Sequence, residues 1–141
     1  MTVTPQETTT PRLTAAAFTR SGGATRLRIA VCRDCAARWF PPLAVCANCA
    51  GTNLVEEASG EQGTVYASTV VRVGPPGFPA PYVLSYVDID GVRLLAQTTA
   101  DVALEPGTPV WLETGAIAER EGVAVHSYRV RPAAAEAGVA R

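Results

Sequence analysis

The sequence predicts a mainly β protein in which a short N-terminal helix and a small module held together by a metal ion precede a five-stranded barrel. Three observations support this fold class. The four cysteines fall into two pairs with the spacing of metal ligands. Segments after the cysteines alternate apolar and polar residues and are separated by turn residues. The 141 residues also include 11 prolines and 12 glycines, which favours turns over long helices.

The N-terminal part is predicted to be a polar leader followed by a short helix. Residues 1–12 are rich in threonine and are expected to be flexible; the leader and helix together cover residues 1–25. Residues 13–21 fit a short helix with Thr14 as its N-cap and Gly22 as its stop. A helix this short needs a surface to pack on, so its apolar face, which includes Phe18, is a candidate for binding a partner.

The cysteine pairs predict a structural metal site. The pattern is Cys32-x2-Cys35 and Cys46-x2-Cys49, with ten residues between the pairs. Two residues between cysteines let both sulfurs of a turn face the same point, and two such turns supply the tetrahedral set of thiolates that a structural Zn²⁺ prefers. Two disulfides or a redox-active pair are the alternatives. No export signal is recognisable in the leader, and no βαβ pattern surrounds either pair.

A site filled by four thiolates leaves no open position for a catalytic water, so the metal is expected to be structural. Its binding free energy, about 10–16 kcal/mol in small zinc fingers, is enough to fold a segment without a core of its own. Arg33 and Arg38 lie close enough in the sequence to offset the charge of the thiolates. Ala36 and Ala50 follow the second cysteine of each pair, a position where glycine is common because the backbone is left-handed or closely packed.

The module is predicted to span residues 26–57, and the alternation of apolar residues in Leu27–Val31 indicates the strand that enters it. Trp39 and Phe40 precede two prolines between the cysteine pairs. These aromatic residues either pack the module against the barrel, since aromatic side chains dominate small cores, or anchor a partner protein.

The barrel is predicted to span residues 58–132, followed by a disordered tail at 133–141. Asp90-Gly91 is the signal of a type I′ hairpin turn. In the first strand, strict alternation places Val65 and Ala67 on one face and Tyr66 and Ser68 on the other. Hairpins with one longer crossing loop fit a Greek-key barrel of the OB type. The predicted strands are Gly63–Val73, Tyr82–Ile89, Val92–Thr98, Val110–Glu113 and Val123–Val130.

The proline-rich loop at residues 74–81 is a second candidate for binding. Prolines lower the entropy cost of holding one shape, which suits a recognition surface. Phe78, Pro79 and Tyr82 are therefore candidate contacts for a ligand or a partner. Phe78 could equally cap the open end of the barrel.

Self-contained catalysis has little support in the sequence. His126 is the only histidine, and no base or orienting partner for it is evident. Asp88 and Asp90 resemble a carboxylate pair, but Asp88 is predicted to point outward and Asp90 to serve the turn. No catalytic residue is therefore assigned.

Net charge and hydropathy narrow the function classes. The net charge of −1 argues against nucleic-acid affinity, which needs a basic face. A single-strand binder that stacks bases on Tyr66, Tyr86 and Trp111 remains the alternative function. No apolar run approaches the ~20 residues of a membrane span, so no membrane contact is predicted and a cytoplasmic location is expected.

A four-cysteine ribbon followed by such a barrel resembles the DUF35 family, in which a rubredoxin-like zinc ribbon is joined to an OB-fold. The resemblance covers about residues 15–131. Leu43 and Ala36 stand where family members usually carry Arg and Gly. The matching stretches are the two cysteine pairs, Phe40-Pro41-Pro42, Gly63–Val70, Phe78 to Pro81-Tyr82, and Asp90-Gly91-x-Arg93-Leu94.

The resemblance implies a function that composition and periodicity do not indicate. Proteins of this family look like non-catalytic accessory subunits of thiolase-fold enzymes, including acyl-CoA thiolases, steroid side-chain aldolases and some acyltransferases. The partner carries the catalytic residues, and the OB domain is thought to lie near the point where acyl-CoA enters. The resemblance therefore implies a thiolase-fold partner, with acyl-CoA as a further ligand.

Overall fold

Nine β-strands, and no α-helix, make up the part of the chain that the computed structural model describes, residues 15–133. The predicted leader at 1–12 and nearly all of the predicted tail at 133–141 lie outside the described residues. No helix within the described range is long and apolar enough to cross a membrane. The strands are β1 (Phe18–Ser21), β2 (Ala24–Cys32), β3 (Arg38–Trp39), β4 (Leu54–Ala58), β5 (Gln62–Val71), β6 (Tyr82–Ile89), β7 (Val92–Thr98), β8 (Pro109–Arg120) and β9 (Val123–Pro132).

The predicted helix over residues 13–21 is wrong in its described part. Only a single 3₁₀ turn forms, at Ala15–Ala17, and Phe18–Ser21 is strand β1, which pairs antiparallel with β2. Gly22 and Gly23 have φ values of 58° and 83° and close the hairpin between these strands. Paired glycines serve a type I′ turn as well as they end a helix, and here the turn is formed.

The first sheet is built around β2, the long strand that the alternation of Leu27–Val31 predicts. β1 pairs with the first half of β2, whereas β3 and β4 pair with its second half on opposite edges. Leu27 and Ile29 have no exposed surface. Strand β2 ends at Cys32, so the sheet places the first cysteine at a fixed point.

The five remaining strands close into a barrel in the order β5-β6-β7-β9-β8, as predicted for an OB-type fold. β6 and β7 begin and end at the predicted residues, while β8 and β9 extend beyond the prediction. Asp90 and Gly91 have φ values of 46° and 82°, as a type I′ turn requires, so the predicted hairpin is confirmed.

A β-bulge at Tyr66 changes the inward face of β5. Val65 pairs with Val87 but Ala67 pairs with Tyr86, so one extra residue stands on β5. Beyond the bulge Ser68 turns inward and accepts a hydrogen bond from the buried Ser85 hydroxyl at 3.0 Å. The predicted grouping of Ala67 with Val65 on one face is therefore wrong, because strict alternation does not allow for an inserted residue.

The sheet and the barrel share one hydrophobic core. Phe18 and Leu27 of the first sheet belong to the same buried cluster as Val65 and Val110 of the barrel. The Thr25 and Thr114 hydroxyls are joined by a 2.8 Å hydrogen bond across the two parts. The cysteine module is thus fixed against the barrel by packing as well as by the chain.

Candidate metal centre and barrel groove

The sulfur atoms of Cys32, Cys35, Cys46 and Cys49 all lie within 4.8 Å of one another. The distances from Cys32 Sγ to Cys49 Sγ and from Cys35 Sγ to Cys46 Sγ are both 3.6 Å, and all four cysteines are free thiols. A tetrahedron with Zn–S bonds of about 2.3 Å has sulfur–sulfur edges of about 3.8 Å. The donor set and its spacing therefore fit Zn²⁺.

The two cysteine turns have the same local structure. In each, the amide four residues after the first cysteine donates to that cysteine's carbonyl, and the cysteine's own amide donates to the carbonyl five residues on. These bonds bend the chain around Cys32 and around Cys46 alike. Ala36 and Ala50 occupy the left-handed region with φ values of 65° and 62°. The sequence marks these two positions as departures from glycine, and the structure shows why glycine is usual there.

N–H groups converge on the sulfur atoms. The Asn48 side-chain amide donates to Cys35 Sγ at 3.5 Å, and the Gly51 amide donates to Cys49 Sγ at 3.4 Å. The hydrogen bond from Asn48 is the largest cause of a lowered pKa of the Cys35 thiol. The buried indole nitrogen of Trp39 makes no well-formed hydrogen bond within residues 15–133. Such donors are suited to thiolates, which accept hydrogen bonds more strongly than thiols do.

The surroundings shift the pKa values of the Cys46 and Cys49 thiols in opposite directions. Burial raises the pKa of Cys46, but hydrogen bonds from the Cys49 and Asn48 backbone outweigh it and lower the pKa to about 6. The Gly51 amide lowers the pKa of Cys49, but its three neighbouring cysteines, together with burial, raise it to about 12. These surroundings therefore favour the thiolate at Cys46 and the thiol at Cys49. Zn²⁺ binding would displace the remaining protons, because only thiolates ligate the metal.

A bridging segment, Arg38–Phe40, connects the cysteine turns to the barrel. Arg38 Nε donates to the Asp90 carbonyl at 2.6 Å, and the Phe40 ring meets the Tyr128 ring edge-on with 5.6 Å between centroids. Phe40 therefore packs the module against the barrel, which is the first of the two predicted alternatives. Phe18 contacts the same Tyr128 ring at 5.8 Å and is only 3% exposed, so its ring is occupied by packing within the chain.

The residues at the start of the second barrel strand line a groove on the barrel. Three cavities of about 290, 240 and 400 Å³ follow one another along it. The first two share Leu84 and Leu95, and the second and third share Gln97 and Ile117. We call this succession of cavities the barrel groove.

Three of the predicted contact residues line the barrel groove. Phe78 and Tyr82 line its middle cavity together with Tyr128, and Pro79 lines the 400 Å³ cavity beside it. Phe78 is half-buried. The loop is held over the groove by a 2.7 Å hydrogen bond from the Glu119 amide to the Gly77 carbonyl. A role of these residues in binding a ligand or partner stays a prediction.

The carboxylates considered for catalysis serve the fold. Arg93 donates to both oxygens of Asp88, at 2.7 and 3.1 Å, on the exposed side of the barrel. The Asp90 carboxylate accepts the Gly60 amide, and Asp90 itself forms the turn. The predicted places of Asp88 and Asp90 are thereby confirmed. The Nδ1 atom of His126 is buried and makes no hydrogen bond to the described residues.

Sequence reasoning missed two members of this arrangement. Tyr128 receives both Phe18 and Phe40, and Arg38 reaches the β6–β7 turn rather than only balancing thiolate charge. No local pattern marks either contact. The sequence contains one weak signal: Tyr128 is an aromatic residue on a predicted strand, where pairing with other aromatic side chains is common.

Comparisons with known proteins agree with this geometry. A family model described as "ChsH2, rubredoxin-like zinc ribbon domain" matches residues 20–55, and one described as "ChsH2, C-terminal OB-fold domain" matches residues 55–114. A DUF35 domain-containing scaffold protein of Pyrococcus furiosus is 34% identical over 101 residues, which are 66% of this chain and 74% of that protein. A scaffold protein of the same description from Methanocaldococcus jannaschii is 28% identical over 112 residues, 72% and 77% of the two chains.

Among solved structures, a chain of the Ltp2-ChsH2(DUF35) aldolase superimposes with a TM-score of 0.58 at 28% identity. The match covers 77% of this chain and 85% of that one. It therefore extends well beyond either the cysteine module or the barrel alone.

Proposed function

The chain belongs to the DUF35 family, and from this premise we propose that it is a non-catalytic accessory subunit of a thiolase-fold enzyme that processes acyl-CoA. The scaffold description of its relatives supports the accessory role. The four-cysteine ribbon supplies a structural zinc site that stabilises the subunit and leaves no open coordination position for chemistry. The reaction would belong to the partner.

The likeness to the Ltp2-ChsH2(DUF35) aldolase is the observation that carries this proposal, because that structure is named for an enzyme and a DUF35 protein together. A partner of the thiolase fold is the finer part of the proposal. A stable complex would bury more than ~1,000 Å² of surface.

The barrel groove supports a further part of the proposal, that the subunit contacts the acyl-CoA of the complex. The groove is elongated, and its middle cavity is lined mainly by apolar side chains, among them Phe78, Tyr82 and Leu84. An acyl–pantetheine arm is likewise long and flexible, with apolar stretches between two amides. Binding sites for such molecules are apolar clefts with a few polar groups, here Gln97 and Ser127.

We also propose that residues 26–57 act as the ribbon and 58–132 as the barrel, and that the chain works in the cytoplasm. Strand β4 ends at Ala58 and β5 begins at Gln62, so this boundary lies one residue before the short connection between the two strands. Four free thiols suit a reducing compartment.

Co-expression with a thiolase-fold protein from the same organism tests the accessory role. We expect the two proteins to elute together in size-exclusion chromatography. We also expect acyl-CoA turnover by the mixture and none by this chain alone. Separate elution of the two proteins at micromolar concentration would refute the proposal, as would turnover by the isolated chain.

Single-strand nucleic-acid binding is the second candidate, favoured by one exposed group of side chains. Tyr66 and Tyr86 are 53% and 48% exposed, and the Arg93 guanidinium lies 3.5 Å from the Tyr66 ring centre. Arg93 is also paired with Asp88, however, and the chain has a net charge of −1. Salt-dependent binding of a fluorescent single-stranded oligonucleotide would support this candidate, and its absence at low salt would eliminate it.

A further inference from the structure

Three consecutive residues join the cysteine cluster to the barrel. Strand β3 contains only Arg38 and Trp39, and it pairs with β2 only at Ala30 and Val31. It lies between the two cysteine turns in the sequence, three residues after Cys35. The position of the bridging segment Arg38–Phe40 therefore depends on how the cysteine turns are held.

Arg38 fixes the segment to the β6–β7 turn. Its Nε donates to the Asp90 carbonyl, and its side chain lies against Gly91 so closely that a Cβ on Gly91 would be 2.8 Å from Arg38 Cδ. Arg38 also forms a 3.7 Å ion pair with Glu57 of β4. The guanidinium thus contacts the ribbon on one side and the barrel turn on the other.

The other two residues of the segment are held by packing. The indole nitrogen of Trp39 is buried. Phe40 packs edge-on against Tyr128 of β9. Tyr128 in turn is among the residues that line the middle cavity of the barrel groove.

We propose that the bridging segment couples metal binding at the four cysteines to the barrel, so that metal affinity depends on Tyr128 and Gly91, which belong to the barrel. Coupling between two sites is reciprocal: if metal binding favours this arrangement of the barrel, a change in the barrel that disfavours the arrangement weakens metal binding. Through Tyr128, loss of the metal alters the wall of the barrel groove. This inference goes beyond the accessory function and requires neither a partner nor acyl-CoA.

Titration of the full chain with Co²⁺, followed by competition with Zn²⁺, tests the coupling, because thiolate-bound Co²⁺ is coloured. We expect Tyr128→Leu to weaken metal affinity by about 5- to 20-fold, within the usual range of coupling between sites. Tyr86→Leu is the matched control, since Tyr86 is a 48% exposed barrel tyrosine and, among the described residues, no hydrogen bond or ring contact joins it to the bridging segment. Its metal affinity should equal that of the wild type.

A pair of turn glycines gives a second, independent test. Gly91 and Gly122 both follow a left-handed residue in a hairpin turn, with φ values of 82° and 76°, so alanine is equally strained at both. Only at Gly91 does the new Cβ meet Arg38; nothing lies within 4 Å of the one at Gly122. We expect Gly91→Ala to weaken metal affinity several-fold and Gly122→Ala to leave it unchanged.

Circular dichroism of the metal-loaded variants establishes that they are folded. If Tyr128→Leu does not fold, the glycine pair decides. Equal metal affinity of Gly91→Ala and Gly122→Ala would overturn the coupling, whether both match the wild type or both are weakened. Failure of the chain to bind a thiolase-fold protein would leave these results unaffected, so the two proposals can fail separately.

Discussion

At the scale of single residues, the two alanines that follow the cysteine pairs hold unfavourable backbone angles. A left-handed conformation costs a non-glycine residue about 1–2 kcal/mol. Substitution by glycine removes this cost, but the freer unfolded state of glycine offsets part of the gain. We therefore expect Ala36→Gly and Ala50→Gly each to raise the free energy of unfolding of the metal-loaded chain by about 0.5–1 kcal/mol. Guanidinium denaturation followed by circular dichroism measures this change.

Ala47→Gly is the control for these substitutions. Ala47 lies between Cys46 and Cys49, is exposed, and is not among the residues with a left-handed backbone. Glycine should lower stability there by up to about 1 kcal/mol, since it only increases the entropy lost on folding. Equal effects at Ala36 and Ala47 would contradict our explanation of the cysteine turns.

Another single-residue effect concerns Gly63, where β5 crosses the barrel core. A Cβ at this position would lie 2.5 Å from Ile89 Cγ1 and 2.9 Å from the Asp88 carbonyl. Because backbone atoms cannot move aside as side chains do, Gly63→Ala should destabilise the chain by about 1–3 kcal/mol. Thermal unfolding measures this loss. Gly60→Ala is the control, because the nearest atom to a Cβ at Gly60 is a carboxylate oxygen at 3.3 Å. A comparable loss of stability in Gly60→Ala would show that burial in the barrel is not the cause.

For single residues, the sequence predicts some positions well and some contacts not at all. The cysteine spacing locates all four sulfur donors, because two linked turns are a local feature. The Arg38 contact with Asp90 joins residues 52 positions apart and leaves no periodic trace in either segment. Such contacts depend on how two independently predicted units are docked, which no spacing rule describes.

At the scale of elements, the loop over the barrel groove is the testable part of the ligand hypothesis. If the groove takes the acyl–pantetheine arm, Phe78→Ala should weaken acyl-CoA binding by about 5- to 10-fold, the loss of roughly 1 kcal/mol of apolar contact. Val73→Ala is the control, because Val73 precedes the same loop and is 90% exposed. Isothermal titration of the assembled complex measures both. Equal affinity of the two variants would exclude Phe78 from the ligand site.

Elements were predictable where one physical signal dominated. β6 and β7 alternate cleanly around Asp90-Gly91, so their bounds and their turn follow from the pattern. β1 was missed because Gly22-Gly23 serves either a helix end or a hairpin. β4 was missed because its charged residues Glu56 and Glu57 conceal a strand that lies at a sheet edge.

At the scale of the whole molecule, ribbon and barrel are two sequence units with a shared interior. Each is recognisable by itself, from the cysteine spacing and from the alternating strands. Their common core, in which Phe18 and Leu27 pack in one cluster with Val65 and Val110, is not visible in either pattern. The consequence is that unfolding of the ribbon exposes apolar surface that the barrel also uses.

Metal removal should therefore destabilise the barrel as well as the ribbon. At a free metal concentration 100 times the Kd, binding contributes about 2.7 kcal/mol, roughly 10 °C in Tm for a chain of this size. The two tryptophans separate the units, since Trp39 lies on β3 and Trp111 on β8. Trp39→Phe and Trp111→Phe leave one fluorescent reporter each. With metal, both reporters should melt at the same temperature, and chelation should lower both values. If chelation leaves the Tm reported by Trp111 unchanged, the barrel is stable without the ribbon. That result would contradict the shared core, because loss of the ribbon side of the core should weaken the barrel side.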